Sequence, residues 1–207
     1  MKQIQRPHIA MESESSRKKL FYIDATMREE SRTRRIALPL MEELGKTYDI
    51  ETVRLDGAQY PAVGSRILRD RDNGIVPEEY ASMARRLASA DRIVIAAPFW
   101  DMSFPAALKL FIENMSLFNI TFGSNDRACF GLCRCSKVLY ITTRGMDIST
   151  GDPMEQATPY IKALGHLWGL GQLHVVAAQN LDYSTPEEIE SKIKTAIEEG
   201  LAICRDF

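Results

Sequence analysis

Five short apolar runs of strand length occur along the chain, and segments with helical periodicity separate them. The runs cover residues 19–24, 50–55, 92–97, 137–143 and 172–178. The run at 50–55 alternates apolar and polar residues, as in an edge strand with one solvated face, whereas 92–97 is suited to a strand covered on both faces. Strands that alternate with helices predict a parallel α/β sheet with helices on both faces, and five strands favour the doubly wound order 2-1-3-4-5.

Local signals predict where the helices begin and end. The first helix is expected over residues 32–47, where Pro39 lacks an amide hydrogen and therefore predicts a kink or a late start. Thr158-Pro159 has the pattern of an N-cap and a first-turn proline for a helix that ends near Gly169. Residues 185–188, Thr-Pro-Glu-Glu, form the sequence of a capping box for the last helix.

Two segments fall outside this alternation. Residues 1–17 are polar and aperiodic, so we expect a flexible N-terminal extension before a single domain over residues 18–207. Residues 56–76 contain three glycines and one proline, which predicts a long loop. Loops of that length inside a compact domain often take part in binding or in an interface.

Composition narrows the functional class. Among 207 residues, 26 basic and 28 acidic side chains give a formal net charge of −2, which provides no basic excess for nucleic-acid binding. The apolar runs are too short for membrane insertion, and the N-terminal residues have no apolar core of a secretory signal. Four cysteines without a signal predict a reducing environment and a cytoplasmic location.

Three of the cysteines are close together in the sequence. Cys129, Cys133 and Cys135 have the spacing C-x3-C-x-C, which fits neither a structural zinc site nor an iron–sulfur cluster. We therefore assign no metal and expect reduced thiols. Redox sensitivity stays open, because Arg134 and Lys137 would favour a thiolate.

The carboxyl ends of the strands are where such a sheet binds ligands, at the switch point beside the first strand. The loop after Asp24 has no glycine, which excludes a dinucleotide fingerprint and a Walker loop. It offers hydroxyls at the start of a helix, from Thr26, Ser31 and Thr33, where free amides and the helix dipole favour a phosphate. An N-capped helix with a solvated basic face would explain the same residues.

Two further loops lie at the same edge of the sheet. Phe99, Trp100 and Met102 follow the third strand, where they form either a platform for a flat apolar ligand or a lid that packs on its own helix. Arg144 and Gly145 follow the fourth strand. The glycine would allow close backbone approach, and the arginine would suit an anion or an electron-rich ring edge.

The residues of these loops resemble one family. The run APFWDMSFPAALKLFIENM at residues 97–115 resembles the flavin-contact segment of FMN-dependent NADH azoreductases and related NAD(P)H–quinone reductases. Residues 141–145, ITTRG, are similar to the family's second isoalloxazine-binding loop, and residues 31–34, SRTR, resemble its phosphate-binding turn. The resemblance covers roughly residues 18–203 and implies a flavodoxin-like fold.

The resemblance also implies which residues bind FMN. Those for the phosphate are Thr26, Ser31, Arg32 and Thr33. Those for the flavin ring are Pro98, Phe99, Trp100, Asp101 and Met102, and those for its pyrimidine side are Thr143, Arg144, Gly145 and Met146. Phe122 and Leu167 are candidates for substrate contact.

Two positions depart from the family pattern. Asp101 stands where the azoreductases usually carry Asn, and Gly145-Met146 replaces two consecutive glycines. The Asp101 carboxylate either lies near the flavin edge, where it would oppose negative charge on the ring, or points to solvent so that only its backbone matters.

The implied function is that of an FMN-dependent oxidoreductase. It would take a hydride from NADH or NADPH and reduce a quinone or an azo compound by a ping-pong mechanism, with no side chain assigned as catalytic. The resemblance implies a homodimer with composite sites. The aromatic loop Phe99–Met102 and four apolar residues expected at the surface also favour a dimer: Phe118, Phe122, Leu167 and Trp168. The alternatives are a flavodoxin-like electron carrier, which the net charge disfavours, and an FMN-binding regulatory module without turnover.

Overall fold

The computed structural model describes residues 17–57 and 59–207, and a parallel sheet of five strands forms its centre. These strands are β1 (Lys19–Asp24), β2 (Asp49–Arg54), β3 (Arg92–Ala96), β6 (Lys137–Thr143) and β7 (Gln172–Ala178), with a separate antiparallel hairpin of β4 (Phe122–Ser124) and β5 (Cys129–Gly131). The order β2-β1-β3-β6-β7 confirms the predicted flavodoxin-like topology. Ile23 lies opposite Val53 and Ile95, so the three strands end at one edge of the sheet.

Helices cover both faces of the sheet. They are α1 (Arg32–Gly45), α2 (Ser65–Asp72), α3 (Glu78–Ser89), α4 (Ala106–Met115), α5 (Ala157–Trp168) and α6 (Pro186–Cys204). Leu20 and Tyr22 pack in one core with α1 and α6, whereas Phe21 and Ile23 pack in the other with α3, α4 and α5. The alternation along β1 thus supplies apolar side chains to both layers, as expected for a central strand.

Helix α1 begins at Arg32 and continues through Pro39, so the expected late start is wrong. The carbonyl of Arg35 lacks its usual amide partner, but Arg35 is exposed and water can reach this side of the helix. An interior proline costs roughly 3 kcal/mol. Ile36, Leu40 and Leu44 are almost completely buried, and each contributes about 1.5–3 kcal/mol, which offsets that cost.

The ends of the later helices follow their capping residues. Helix α5 begins at Ala157, two residues before Pro159, which was predicted as the first-turn proline. The helix starts earlier because Glu155, not Thr158, supplies the capping acceptor: Thr158 N donates to Glu155 Oε1 at 2.9 Å. Gly169 ends the helix with φ 76°, as predicted. The capping box of Thr185 and Glu188 is confirmed at the start of α6.

Helix α2 and the β4–β5 hairpin were not predicted. Helix α2 lies inside the expected loop at 56–76, and every one of its residues is at least partly exposed, so no apolar face marks it in the sequence. The predicted N-terminal extension falls outside the described residues except for Arg17, whose Nη2 donates to the Gly45 carbonyl at 2.8 Å. Across the described residues, we find no helix with the length and apolarity needed to cross a membrane.

Candidate functional site

A cavity of ≈ 450 Å³ lies at the carboxyl ends of the strands, within the size range of small-molecule sites. The three loops predicted from the sequence meet there, joined by the loop after β7. Its lining residues are Met27, Arg28, Glu30, Ser31, Arg32, Pro98, Phe99, Trp100, Thr143, Gly145 and Asp182. Another cavity of ≈ 510 Å³ lies between α5 and β7. Its walls include neither the β1–α1 loop nor the β3–α4 loop, so we assign the ligand site to the first cavity.

The carboxylate of Asp24 organises the β1–α1 loop. Its Oδ1 accepts hydrogen bonds from Thr26 N at 3.0 Å and Thr26 Oγ1 at 2.5 Å, and its Oδ2 accepts one from Arg34 Nη2 at 2.6 Å. Asp24 and Thr26 are buried. Asp24 therefore fixes how the loop presents its residues to the cavity, although the sequence analysis treated it only as the end of a strand.

The hydroxyls expected to bind a phosphate are largely engaged within the protein. Thr26 is bonded to Asp24, and Thr33 is also buried. Thr33 Oγ1 lies 2.6 Å from Thr143 Oγ1, and this hydrogen bond ties α1 to the end of β6. Ser31 is the N-cap of α1 and accepts a hydrogen bond from Arg34 N at 3.2 Å. Of the four predicted phosphate residues, Ser31 and Arg32 line the cavity, whereas Thr26 and Thr33 hold the loop from behind.

The β3–α4 loop forms the aromatic wall of the cavity and ends in a tight turn. Trp100 and Ser103 exchange backbone hydrogen bonds of 3.1 and 2.8 Å. Between them Asp101 and Met102 have φ values of 48° and 64°, in the left-handed region that Asn, Asp and Gly tolerate best. Both residues are exposed and lie outside the cavity lining. This placement favours the interpretation in which Asp101 serves through its backbone.

The guanidinium of Arg144 is bonded inside the protein and does not line the cavity, so the ligand contact expected of this residue stays a prediction. Arg144 is fully buried, and it donates from Nη1 to the Ile148 carbonyl at 3.0 Å and from Nη2 to Thr150 Oγ1 at 2.9 Å. Its Nη2 lies 3.9 Å from the buried Glu155 carboxylate. Its guanidinium carbon is 5.8 Å from the centre of the Phe99 ring. Arg144 thus supports the aromatic wall from inside the protein.

Burial dominates the electrostatics of this pair. Desolvation lowers the pKa of Arg144, and the nearby Glu155 carboxylate opposes that shift. An arginine keeps its charge even so, because its ordinary pKa lies far above neutrality. The result is a buried cation directly behind the wall of the cavity.

Gly145 lies against the loop after β7, and a side chain at this position would have to displace the exposed carboxylate of Asp182. Asp182 N donates to the Gly145 carbonyl at 3.0 Å, and a Cβ at Gly145 would overlap the Asp182 carboxylate. That carboxylate forms an ion pair with Arg32, Oδ1 to Nη1, at 2.8 Å. Asp182 was missed by the sequence analysis, because its loop follows the edge strand rather than the strands at the switch point. Met146 lies outside the cavity lining, with its carbonyl accepting from Asn180 N at 2.9 Å.

The predicted apolar contacts lie elsewhere. Phe122 packs edge-on against Phe118 with ring centres 5.9 Å apart, and Leu167 packs against a core cluster, so the structure places both outside the cavity of their own chain. Trp168 is buried, and its Nε1 donates to Ser116 Oγ at 3.1 Å. Trp168 therefore belongs to the core and does not add to the exposed apolar surface expected for a dimer.

The three clustered cysteines differ in burial: Cys129 is exposed, Cys133 is partly buried and Cys135 is buried. Burial raises the pKa of Cys133 to about 12 and that of Cys135 to about 11. Arg134 points to Asp91 at 3.7 Å rather than to a sulfur atom. The thiolates that redox sensitivity would require are thus disfavoured at these two positions.

Comparisons with known proteins agree with the resemblance found in the sequence. A family model described as a flavodoxin-like fold matches residues 18–202. An FMN-dependent NADH:quinone oxidoreductase of Clostridium perfringens is 28% identical over 199 residues, with 91% of this chain and 99% of the relative covered. A relative of the same name, numbered 2, from Clostridium acetobutylicum is 32% identical over 126 residues, with 60% and 62% covered.

Solved structures show the same fold. An azoreductase from Bacillus anthracis has a TM-score of 0.79 at 20% identity, with 92% of this chain and 100% of that chain covered. An FMN-dependent NADH-azoreductase from the same organism, solved in complex with FMN, has a TM-score of 0.76 at 20% identity, with 90% and 99% covered.

Proposed function

Because the chain belongs to the flavodoxin-like fold family, we propose that the cavity at its strand ends binds FMN and that the protein is an FMN-dependent oxidoreductase. The electron donor is NADH, and the acceptor is a quinone or an azo compound, as in the names of the relatives and structural neighbours. The observation that carries the proposal is that one cavity joins an aromatic wall to the first turn of α1.

The residues of the cavity fit FMN. Pro98, Phe99 and Trp100 offer a flat apolar wall for the ring, and Gly145 allows the backbone to approach the ring edge. The phosphate would bind at the first amides of α1, beside Ser31 and Arg32, because the first amides of a helix have no carbonyl acceptors within it and carry the positive end of its dipole. Arg34 N is already bonded to Ser31 Oγ, so the amides that precede it would serve the phosphate.

The other residues predicted to bind FMN hold the walls of the cavity in place instead of lining it. Thr26 and Thr33 hold the β1–α1 loop, Asp101 and Met102 form the turn beyond Trp100, and Arg144 supports Phe99. When bound, FMN supplies the hydride chemistry itself, and the protein contributes orientation and electrostatics. Donor and acceptor then use the same exposed wall in turn, which corresponds to a ping-pong mechanism without a catalytic acid or base from the chain.

Anaerobic titration tests this proposal. We expect the purified protein to bind FMN in preference to FAD, because the cavity has a single helix N-terminus and no glycine-rich pyrophosphate loop. The visible absorbance should bleach on addition of NADH and return when a quinone is added. Bleaching only with dithionite would indicate an electron carrier instead, and a protein that takes up no flavin would contradict the proposal.

We also propose a homodimer with composite sites. Phe118 is 55% exposed on the hairpin side, and Phe130 and Leu132 are exposed beside it, while Trp100 and Met102 are exposed at the cavity rim. A second copy of the chain would cover such apolar area. Sedimentation velocity at micromolar concentration should therefore give twice the mass of one chain. Full activity in a species with the mass of one chain would contradict the composite site.

A further inference from the structure

An ion pair closes one end of the cavity. Arg32 is the first residue of α1, and its Nη1 lies 2.8 Å from Asp182 Oδ1, with both side chains lining the cavity. The backbone anchors Asp182, because its amide donates to the Gly145 carbonyl at 3.0 Å. The neighbouring Leu181 is buried and donates to the Arg144 carbonyl at 3.2 Å. The packed core therefore fixes the backbone of Asp182, and the ion pair with Arg32 places its exposed carboxylate at this end of the cavity.

The charges around the cavity cancel. Among the described residues, four charged side chains line it: the cations Arg28 and Arg32 and the carboxylates Glu30 and Asp182. Their formal sum is zero. A phosphate monoester carries nearly two negative charges at neutral pH. A phosphate bound at the first amides of α1 therefore gains no net positive charge from the side chains that line the cavity. It also competes directly with Asp182 for the Arg32 guanidinium.

On the basis of the proposed function, we propose that Asp182 determines specificity by limiting the contribution of the phosphate to flavin binding. The carboxylate occupies Arg32 and repels a phosphate at the same end of the cavity. FMN is then only modestly preferred over riboflavin, which has the same ring and ribityl chain but no phosphate.

Flavin affinity measured by fluorescence quenching tests this role of Asp182. Apoprotein of the wild type and of Asp182→Asn is titrated with FMN and with riboflavin. We expect the substitution to tighten FMN about fivefold and to leave riboflavin within about twofold, because only FMN carries the charge that Asp182 opposes. The gain should decrease at high salt, since it is electrostatic and this end of the site is solvated.

Glu190→Gln is the matched control. Glu190 Oε2 accepts from Arg35 Nη2 at 2.5 Å, so it forms a similar exposed ion pair between the same helix α1 and the segment after β7, but both residues lie outside the cavity lining. This variant should bind both flavins as the wild type does. Asp182 has a side chain 65% exposed, so its substitution leaves the core unchanged.

The possible results separate the two proposals. Weaker FMN binding in Asp182→Asn would show that Asp182 orients Arg32 for the phosphate, which overturns the inference. Unchanged FMN affinity would overturn it as well, while the proposed function would stand. A wild-type protein that binds neither flavin would overturn the proposed function and this inference together.

Discussion

Glu155→Gln should lower the free energy of unfolding by about 3 kcal/mol, because it leaves the Arg144 cation buried without its counter-charge. Both side chains are fully buried, and Nη2 of Arg144 lies 3.9 Å from Oε2 of Glu155. The carbonyl oxygen of the introduced glutamine side chain can still accept from Thr158 N, so the loss reports mainly on charge. For a domain of this size we expect a decrease in Tm of about 10 °C. Thermal unfolding of the apoprotein followed by circular dichroism measures it.

A surface pair with the same separation provides the control. Lys194 and Glu198 are also 3.9 Å apart, but their side chains are 79% and 65% exposed. Glu198→Gln should change the free energy of unfolding by less than about 0.5 kcal/mol, because solvent screens the pair and the side chains lose entropy when they form it. Equal Tm values for the two variants would show that burial does not strengthen the Arg144–Glu155 interaction.

A double-mutant cycle separates the charge of the pair from its packing. Arg144→Met combined with Glu155→Leu removes both charges, so the double variant should be more stable than the sum of the single effects implies. It still loses the bonds of Arg144 to the Ile148 carbonyl and to Thr150. We therefore expect weaker FMN binding in the double variant, since Phe99 rests against Arg144.

The fold could be predicted from the sequence because most of its strands are nearly continuous apolar runs and β2 alternates apolar and polar residues. The runs at 137–143 and 172–178 match β6 and β7 residue for residue. The site could be located because the carboxyl ends of parallel strands gather at one edge, whatever the loops contain. Short elements without a buried face, such as α2, lack the periodicity on which such predictions depend.

The contacts inside the loops were harder to predict. Asp24 takes Arg34 as its partner, although several other arginines lie nearby in the sequence, and only the geometry of the first turn of α1 selects it. The side of the sheet toward which the Arg144 side chain points could have been inferred from the alternation of residues along β6. Thr143 contacts Thr33 on the α1 side, so alternation along β6 turns the next residue toward the opposite layer, where Glu155 precedes the start of α5. Arg144 was assigned to the ligand instead, because an arginine suits an anion or a ring edge and residues 141–145 resemble a flavin-binding loop.

Asp24→Asn should raise the dissociation constant of FMN at least about tenfold, by releasing the loop that carries Met27, Arg28 and Ser31 to the cavity. The carboxylate accepts three hydrogen bonds from Thr26 and Arg34. An asparagine has one acceptor oxygen, and its amide group would face a donor that it cannot satisfy. We also expect a loss of about 2 kcal/mol in the free energy of unfolding, because a buried charge-assisted bond is lost.

Asp91→Asn is the control for Asp24, because it removes a carboxylate of similar role from the opposite end of the sheet. Asp91 Oδ2 accepts from Lys19 N at 2.9 Å, at the start of β1, whereas Asp24 ends that strand. Both substitutions should lower stability, but only Asp24→Asn should weaken FMN binding when fluorescence titrations are made well below the Tm of each variant. If Asp24→Asn kept the flavin affinity of the wild type, the β1–α1 loop would hold its conformation without this carboxylate. Thr33 and its bond to Thr143 would then be the contact that keeps α1 in place beside the cavity.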